Sequence, residues 1–376
     1  AVIYIHIPFC RSFCTYCDFY SEVAAEALWK EYSKALCLEI RSRRTEITDE
    51  VNTLYIGGGT PSVLPLSVFS ELLETLGDCG HGGPYDEFTV EVNPDDIVGK
   101  GPAYVEGLLG LGVTRVSMGV QSFNDGILRW MNRRHDAASA RKAYAILEEA
   151  GVPDISIDLI FGLPQLSDDM WQDTLSSALD ISSRGNQPRH ISSYQLSVEP
   201  GSALACMAER GVWAEASQEQ CARQYAVLCE RLAEAGYHHY EISNFALPGH
   251  EAMHNSAYWR HVPYAGFGPG AHSFAGGRRQ WNLSDLQAYL KAASVKDFSR
   301  ITEYETLSSE QRVLEQIMLS LRTSSGIPYD TLKGQCPQAS LLKAFSSGNL
   351  ILLPSGNVRI PEDRFFVSDS IISGIV

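Results

Sequence analysis

Short apolar runs alternate with longer amphipathic stretches through the first two hundred residues, and this pattern predicts the elements. Strands are expected at residues 2–7, 53–56, 88–92, 115–120, 155–160 and 191–196, each a brief run rich in β-branched side chains. Helical spacing of apolar positions falls between them, near 24–44, 66–76, 103–111, 125–150 and 168–182. Strands alternating with helices predict βαβ units on a parallel sheet. Right-handed crossovers favour a barrel or partial barrel. Six units are fewer than the eight of a closed barrel. The expectation is an α/β fold whose residues 1–205 form a partial (β/α)6 barrel.

The pattern changes after residue 205. Residues 206–298 hold few long apolar runs and many Gly, Pro, His and aromatic residues. A helix near 217–235 and a strand near 239–242 make this an accessory α/β segment, expected as a layer outside the barrel. Beyond a break near 295–302 come an amphipathic helix at 307–321, helical stretches at 329–333 and 338–345, and strands at 350–353 and 358–360 around Pro354-Ser355-Gly356-Asn357. That order predicts a small winged-helix-like domain over 299–376.

Charge narrows what such a domain does. The chain carries a formal net charge of −15, and residues 301–376 hold six Lys and Arg against eight Asp and Glu. Nucleic acid needs a basic footprint, so nucleic-acid binding is excluded. Composition is that of a globular protein, 44% hydrophobic and 20% charged. No apolar run approaches the roughly 18 residues of a membrane span; peripheral association with a membrane stays open. The first strand begins at Val2 without a signal-peptide layout. Of nine cysteines, Cys37, Cys79, Cys206, Cys221, Cys229 and Cys336 lack motif spacing, which fits a reducing compartment and a cytoplasmic location.

The other three, Cys10, Cys14 and Cys17, are spaced C-x3-C-x2-C just after the first strand. Three thiols so close in sequence can converge on one inorganic centre. Zinc would want a fourth local ligand. Iron–sulfur cubanes usually take four thiolates, so three would leave one iron open to a ligand. The same spacing also describes one face of a helix that buries its cysteines.

Unusual loops recur where each strand ends, the end at which barrels collect their chemistry. Gly57-Gly58-Gly59-Thr60 follows the second strand, either a tight turn or a close approach of bare backbone to a ligand. Glu91, Asn93 and Pro94 follow the third. Gln121 ends the fourth, Asn132-Arg133-Arg134-His135 lies beyond it, and Asp158 closes the fifth. A carboxylate at a strand end is also a common helix cap.

Together these stretches resemble the radical S-adenosylmethionine (SAM) superfamily. They most resemble its coproporphyrinogen-dehydrogenase-like branch, which holds oxygen-independent coproporphyrinogen III oxidases and the haem chaperones of the HemN/HemW group. The resemblance implies a [4Fe-4S] cluster on Cys10, Cys14 and Cys17 with SAM on the open iron. It places Tyr4, Tyr16, Gly58, Gly59, Thr60, Glu91, Gln121, Arg133 and Asp158 in SAM-contacting positions, with Arg134 a competing choice for the arginine.

Within that branch the chain looks closest to the haem chaperones. The oxidases carry a further Cys two positions after the third cluster Cys, where this chain has Phe19. They also have a leading segment before their first strand, whereas here the strand begins at Val2. His254-Asn255-x-x-Tyr258-Trp259 is similar to the H-N-x-x-Y-W motif of the chaperones. The resemblance therefore implies haem as cargo, His254 as axial ligand with Asn255, Tyr258 and Trp259 beside it, and an acceptor haemoprotein such as a respiratory enzyme. The alternative is oxidative decarboxylation of coproporphyrinogen III. From the residues alone, His254 could equally cap a turn while the aromatics fill core.

Overall fold

All six expected strands form, and within each the side chains alternate between two environments. They are β1 (Val2–Ile7), β2 (Thr53–Gly58), β3 (Glu87–Val92), β4 (Arg115–Gln121), β5 (Asp154–Phe161) and β6 (His190–Gln195). The computed structural model describes residues 1–47, 50–200 and 202–376. One row of each strand is apolar and buried: Ile3, Ile5 and Ile7; Leu54 and Ile56; Phe88, Val90 and Val92; Val116, Met118 and Val120; Ile155, Ile157 and Leu159; Ile191. This row packs with Leu36, Phe69, Leu72, Leu108, Leu147 and Trp171 of the surrounding helices in one continuous core. The opposite row is largely polar and lines a central cavity. Parallel strands buried on both faces usually read as continuous apolar runs. Here the period of two survives because the inner face meets a hollow instead of a packed core.

β1 to β6 pair in parallel in chain order, Tyr4 beside Tyr55 and Val90 beside Val116. The sheet curls, since Tyr4 of β1 and Tyr194 of β6 line one cavity. The crossovers are α1 (Glu26–Ser42), α2 (Leu66–Asp78), α3 (Pro94–Lys100), α4 (Pro102–Gly110), α5 (Asp125–Trp130), α6 (Ala137–Glu149) and α7 (Asp168–Leu179). The single helix expected at 125–150 is two helices. Asn124 caps α5 by accepting from the Gly126 and Ile127 amides, and Asp136 caps α6 by accepting from the Ser139 amide. Between them Asn132 turns left-handed at φ 57°. Apolar positions recur at helical spacing on both sides of the break, so periodicity did not reveal it; the Asp136-to-Ser139 cap was the available signal.

Residues 206–298 do not form a layer laid over the barrel, as expected, but extend its sheet at both edges. After α8 (Ala203–Glu209) and α9 (Gln218–Glu234), β7 (His238–Glu241) and β8 (Asn244–Ala246) continue the sheet antiparallel beyond β6. α10 (Met253–Trp259) follows. β9 (Tyr264–Phe267) pairs in parallel with β1, and β10 (His272–Ala275), β11 (Arg278–Asn282) and β12 (Thr302–Thr306) carry that edge outward. α11 (Leu286–Ser294) packs on α1. The result is one twelve-stranded sheet. Of these short strands only β7 was expected, near 239–242; the other runs of three to five residues were too short to show before their partners were known.

The C-terminal unit opens with α12 (Ser309–Ser320), held by a capping box between Ser308 and Gln311. It continues through β13 (Ile327–Pro328), α13 (Tyr329–Gln335), α14 (Gln338–Ser346), β14 (Ile351–Leu352), β15 (Asn357–Arg359) and α15 (Ser368–Ser373). Its three strands form an antiparallel sheet in the order β13-β15-β14. The Ser324 amide donates to the Tyr240 carbonyl at 2.9 Å, which ties this unit to the strand edge. Among the described residues no helix is long and apolar enough to cross a membrane.

Candidate functional site

The cavity inside β1–β6 encloses about 660 Å³, within the range of small-molecule sites. Its mouth is ringed by the loops that follow the strands, and the cysteine loop forms one side. That loop is not helical, so the three thiols are not one face of a helix. It is fastened at several points. The Cys10 amide donates to the Glu22 carbonyl at 3.0 Å, the Thr15 amide to Met131 at 3.1 Å, and Asn132 Nδ2 to the Phe13 carbonyl at 2.7 Å. The break between α5 and α6 thus serves as the mount for the cysteine loop. His6 Nε2 is hydrogen-bonded to the Tyr20 carbonyl at 2.9 Å and its Nδ1 to Tyr4 Oη at 3.0 Å. Burial lowers the His6 pKa to about 4, so this bridge is a neutral imidazole.

Cys10, Cys14 and Cys17 all line the cavity and none is in a disulfide. Cys10 Sγ lies 3.4 Å from Thr60 Oγ1, and Arg133 Nη1 donates to Cys14 Sγ at 3.5 Å. Burial pushes the Cys10 thiol up and the Cys17 thiol to about 12. Such thiols stay protonated at neutral pH unless a metal takes the place of the proton. Among the described residues no three His, Cys, Asp or Glu side chains gather around a single ion. A cubane spreads its thiolates over separate irons and needs no such convergence. At Gly59 an added Cβ would lie 2.8 Å from the Phe9 carbonyl, 3.0 Å from Ile7 and 3.1 Å from Cys10 Sγ. There is therefore no room for a side chain at residue 59, where the cysteine loop packs against the end of β2. The residues present fit a [4Fe-4S] cluster with one open iron.

The nine expected SAM positions all face this same cavity. Glu91 accepts from Tyr55 Oη at 2.7 Å and from the Gly58 amide at 3.0 Å. Burial, with the Asp158 charge nearby, pushes its carboxyl up to about 7 against those two bonds. Asp158 accepts from Ser117 Oγ at 3.1 Å; burial lifts it to about 6, held back by Ser192 and Ser117. Arg133 Nη2 donates to Asn93 Oδ1 at 2.8 Å and to the Gly119 carbonyl at 2.6 Å, while its Nε is buried without a partner. Arg134 also borders the cavity, but its guanidinium pairs with Asp95 at 2.8 Å. Gln121 stands at φ 67°, at the register shift where β4 bulges against β5, a strained backbone that aims it inward. The glycine loop differs from expectation in one respect. The Gly58 amide is spent on Glu91 and the Gly59 amide on the Ile7 carbonyl at 2.7 Å. The loop offers room to a ligand and not free amides.

The H-N-x-x-Y-W stretch lies on α10, not on an open loop, and α10 closes the opposite end of the barrel. Glu87, the first residue of β3, accepts from the Met253 and His254 amides at 2.8 and 3.0 Å, capping that helix through the tertiary fold. His254 is 2% exposed. Its Nδ1 is hydrogen-bonded to Thr53 Oγ1 at 2.7 Å and its Nε2 to Tyr258 Oη at 2.9 Å. Burial lowers its pKa to about 3. The axial ligand expected here is thus a neutral imidazole on the cavity floor with both nitrogens engaged. Asn255 and Tyr258 share that floor; Trp259 does not line it, and its indole N–H is buried without a partner.

Several lining residues went unrecognised in the sequence: Arg115 and Ser117 on β4, Ser156 on β5, and His190, Ser192 and Tyr194 on β6. The signal was a polar residue at every second position of strands already recognised.

Comparison with known proteins agrees with this geometry. The model of the radical SAM superfamily matches residues 4–178. The heme chaperone HemW of Lactococcus lactis subsp. lactis is 35% identical over 324 residues, spanning 86% of this chain and 82% of that protein. HemW of Synechocystis is 33% identical across 97% of this chain and 92% of its own length. The solved structure of coproporphyrinogen III oxidase (HemN) from Escherichia coli covers 99% of this chain and 89% of its own, with a TM-score of 0.83 at 21% identity, which shows the same fold. A [4Fe-4S] cluster and SAM are what radical SAM membership implies. With its three cysteines at the mouth of a partial barrel, this chain belongs to the radical SAM superfamily and, within it, to the family of the heme chaperone HemW.

Proposed function

We propose that this chain is a haem chaperone. It holds a [4Fe-4S] cluster on Cys10, Cys14 and Cys17, binds SAM beside it, takes up haem and hands it to an acceptor haemoprotein such as a respiratory enzyme. The observation that carries this reading is the match to HemW of Synechocystis through 97% of the chain, a span that includes His254-Asn255-x-x-Tyr258-Trp259. Phe19, where the oxidases have a further cysteine, supports it.

The chain's own residues divide the work. Glu91, when ionised, suits the ammonium of SAM, and Arg133 suits its carboxylate; Asp158 with Ser117 and Ser192 suits hydroxyl groups. A reduced [4Fe-4S] cluster, when bound, supplies the electron that can cleave a sulfonium. Tyr4, Tyr16, Gly58, Gly59, Thr60 and Gln121 shape the pocket. At the floor, His254 would ligate haem through Nε2 in place of Tyr258 while Nδ1 stays with Thr53, which fixes the tautomer. Its low pKa leaves the imidazole neutral and ready to ligate at physiological pH.

The test sets the two chemistries of the branch against each other. Anaerobically reconstituted protein should give a Soret band on haem addition, reduced in His254→Ala. With coproporphyrinogen III, SAM and reductant it should form neither harderoporphyrinogen nor protoporphyrinogen. Multiple turnovers of coproporphyrinogen III would overturn the chaperone reading in favour of the oxidase.

A further inference from the structure

The cavity floor holds a charged group that neither the cluster nor the SAM positions account for. Arg115 opens β4, its side chain faces inward, and it is 4% exposed. Nη1 donates to the His250 carbonyl at 3.2 Å, and Nη2 is buried with no hydrogen-bond partner. Among the described residues no carboxylate lies within ion-pair distance of it. Asp154, its neighbour across the β4–β5 register, is taken by His250 Nδ1 at 2.8 Å, and Asp158 by Ser117 at 3.1 Å. The other nearby groups are uncharged: Ser156 Oγ is hydrogen-bonded to His190 Nδ1 at 2.7 Å, and His190 Nε2 to Tyr240 Oη at 2.8 Å. The Asp158 carboxylate is near enough to feel the Arg115 charge but makes no ion pair with it, and a buried guanidinium without a direct counter-ion is costly. A site of this kind gains most from a ligand that brings the missing anion.

We infer that Arg115 is a carboxylate-binding residue of the barrel floor, and that the carboxylate it takes is a propionate of the tetrapyrrole cargo. This inference rests on the haem reading above. The floor position favours a tetrapyrrole over the methionyl carboxylate of SAM, because the cysteines and Arg133 sit at the opposite, mouth end of the strands. Spacing agrees. His254 stands over β2 through Thr53, and Arg115 is on β4, two strands away. Strands lie about 4.8 Å apart, so the separation across the sheet is about 10 Å. A macrocycle ligated at His254 would extend its two-carbon propionate arm toward that distance. The planar guanidinium can meet a carboxylate through two parallel N–H donors.

The experiment compares haem with haem dimethyl ester, whose propionates are masked, in the reconstituted full chain. Wild type should bind haem about tenfold or more tightly than the ester, the worth of a charged hydrogen bond. Arg115→Gln should bind both with the affinity wild type shows for the ester, and Arg115→Lys should keep part of the preference. SAM affinity should be unchanged in both variants. A preference that survives in Arg115→Gln, or is absent in wild type, overturns the inference while leaving haem binding intact. A tenfold loss of SAM affinity in Arg115→Gln assigns the residue to SAM and overturns it too. If wild type binds neither porphyrin, the haem reading falls and takes this one with it. Should Arg115→Gln fail to fold, the wild-type comparison and the Lys variant decide.

Discussion

Adding one methyl group at Gly59 tests how the cysteine loop is held. In Gly59→Ala the new Cβ would lie 2.8 Å from the Phe9 carbonyl and 3.0 Å from that of Ile7, both backbone atoms. Neither can swing aside as a side chain could, so the chain from Ile7 to Cys10 must retreat from the β2 end. Two bonds oppose that retreat: the Gly59 amide to Ile7 at 2.7 Å and the Thr60 amide to Phe9 at 2.8 Å. Overpacking costs about 1–3 kcal/mol, and weakening one such bond about 1 kcal/mol more, giving about 3 kcal/mol. At about 2.1 cal/mol/K per residue, a chain of 376 residues unfolds with an entropy near 0.8 kcal/mol/K, so Tm should fall by about 4 °C. The loop displaced is the one that carries Cys10, whose Sγ is itself 3.1 Å from the new atom. Iron and sulfide after anaerobic reconstitution should therefore drop well below the roughly four of each that one cubane holds. Gly99→Ala is the control, because no atom lies within 4 Å of its added Cβ and the position is helical; it should be neutral or slightly stabilising. Wild-type Tm and full cluster content in Gly59→Ala would refute the idea that residue 59 keeps the loop in place.

Three further outcomes are expected. Replacing Cys10, Cys14 or Cys17 singly by Ala should abolish stable cluster incorporation, whereas Cys206→Ala and Cys229→Ala should keep it; iron analysis decides, and loss in Cys206→Ala would move the ligand set. SAM affinity should rise about twentyfold from pH 6 to pH 8: about tenfold because the ligand's ammonium needs ionised Glu91, whose carboxyl is held near 7 in the free protein, and about twofold from Asp158, near 6. In Glu91→Gln only the about twofold change from Asp158, near 6, should remain, and calorimetry at both pH values checks it. Ile157→Ala, on the apolar row and fully buried, should cost about 2–5 kcal/mol in stability without changing SAM affinity, since its side chain faces the helices and not the cavity.

The six strands and most crossovers were legible because each carries its own local period. The cluster cysteines and the strand-end residues were legible because their spacing is local or recurs at one end of successive units. Other features depend on partners far along the chain. β9 becomes a strand only against β1, and His254 is a floor residue only because Glu87 and Thr53, about two hundred positions earlier, receive it. Arg115 begins a strand whose end drew attention, and a charged residue at a strand start reads from sequence as an exposed edge. The break at Asn132 was hidden because apolar positions recur at helical spacing on both sides of it.

The alternation along β1–β6 separates two kinds of constraint. Val116, Ile157 and Ile191 answer to the helices outside; Ser117, Ser156 and Ser192 answer to their polar neighbours and to what fills the hollow. A substitution on the inner row changes the solvent seen by a bound molecule while the shell keeps its interlock. A slip of one residue in any strand would trade the two rows, placing serines against helices and isoleucines against the ligand. Pairing is therefore tightly specified even though the lining is free to vary. A scaffold of this kind can evolve a new cargo through a few inward replacements, each with little effect on whether the chain folds.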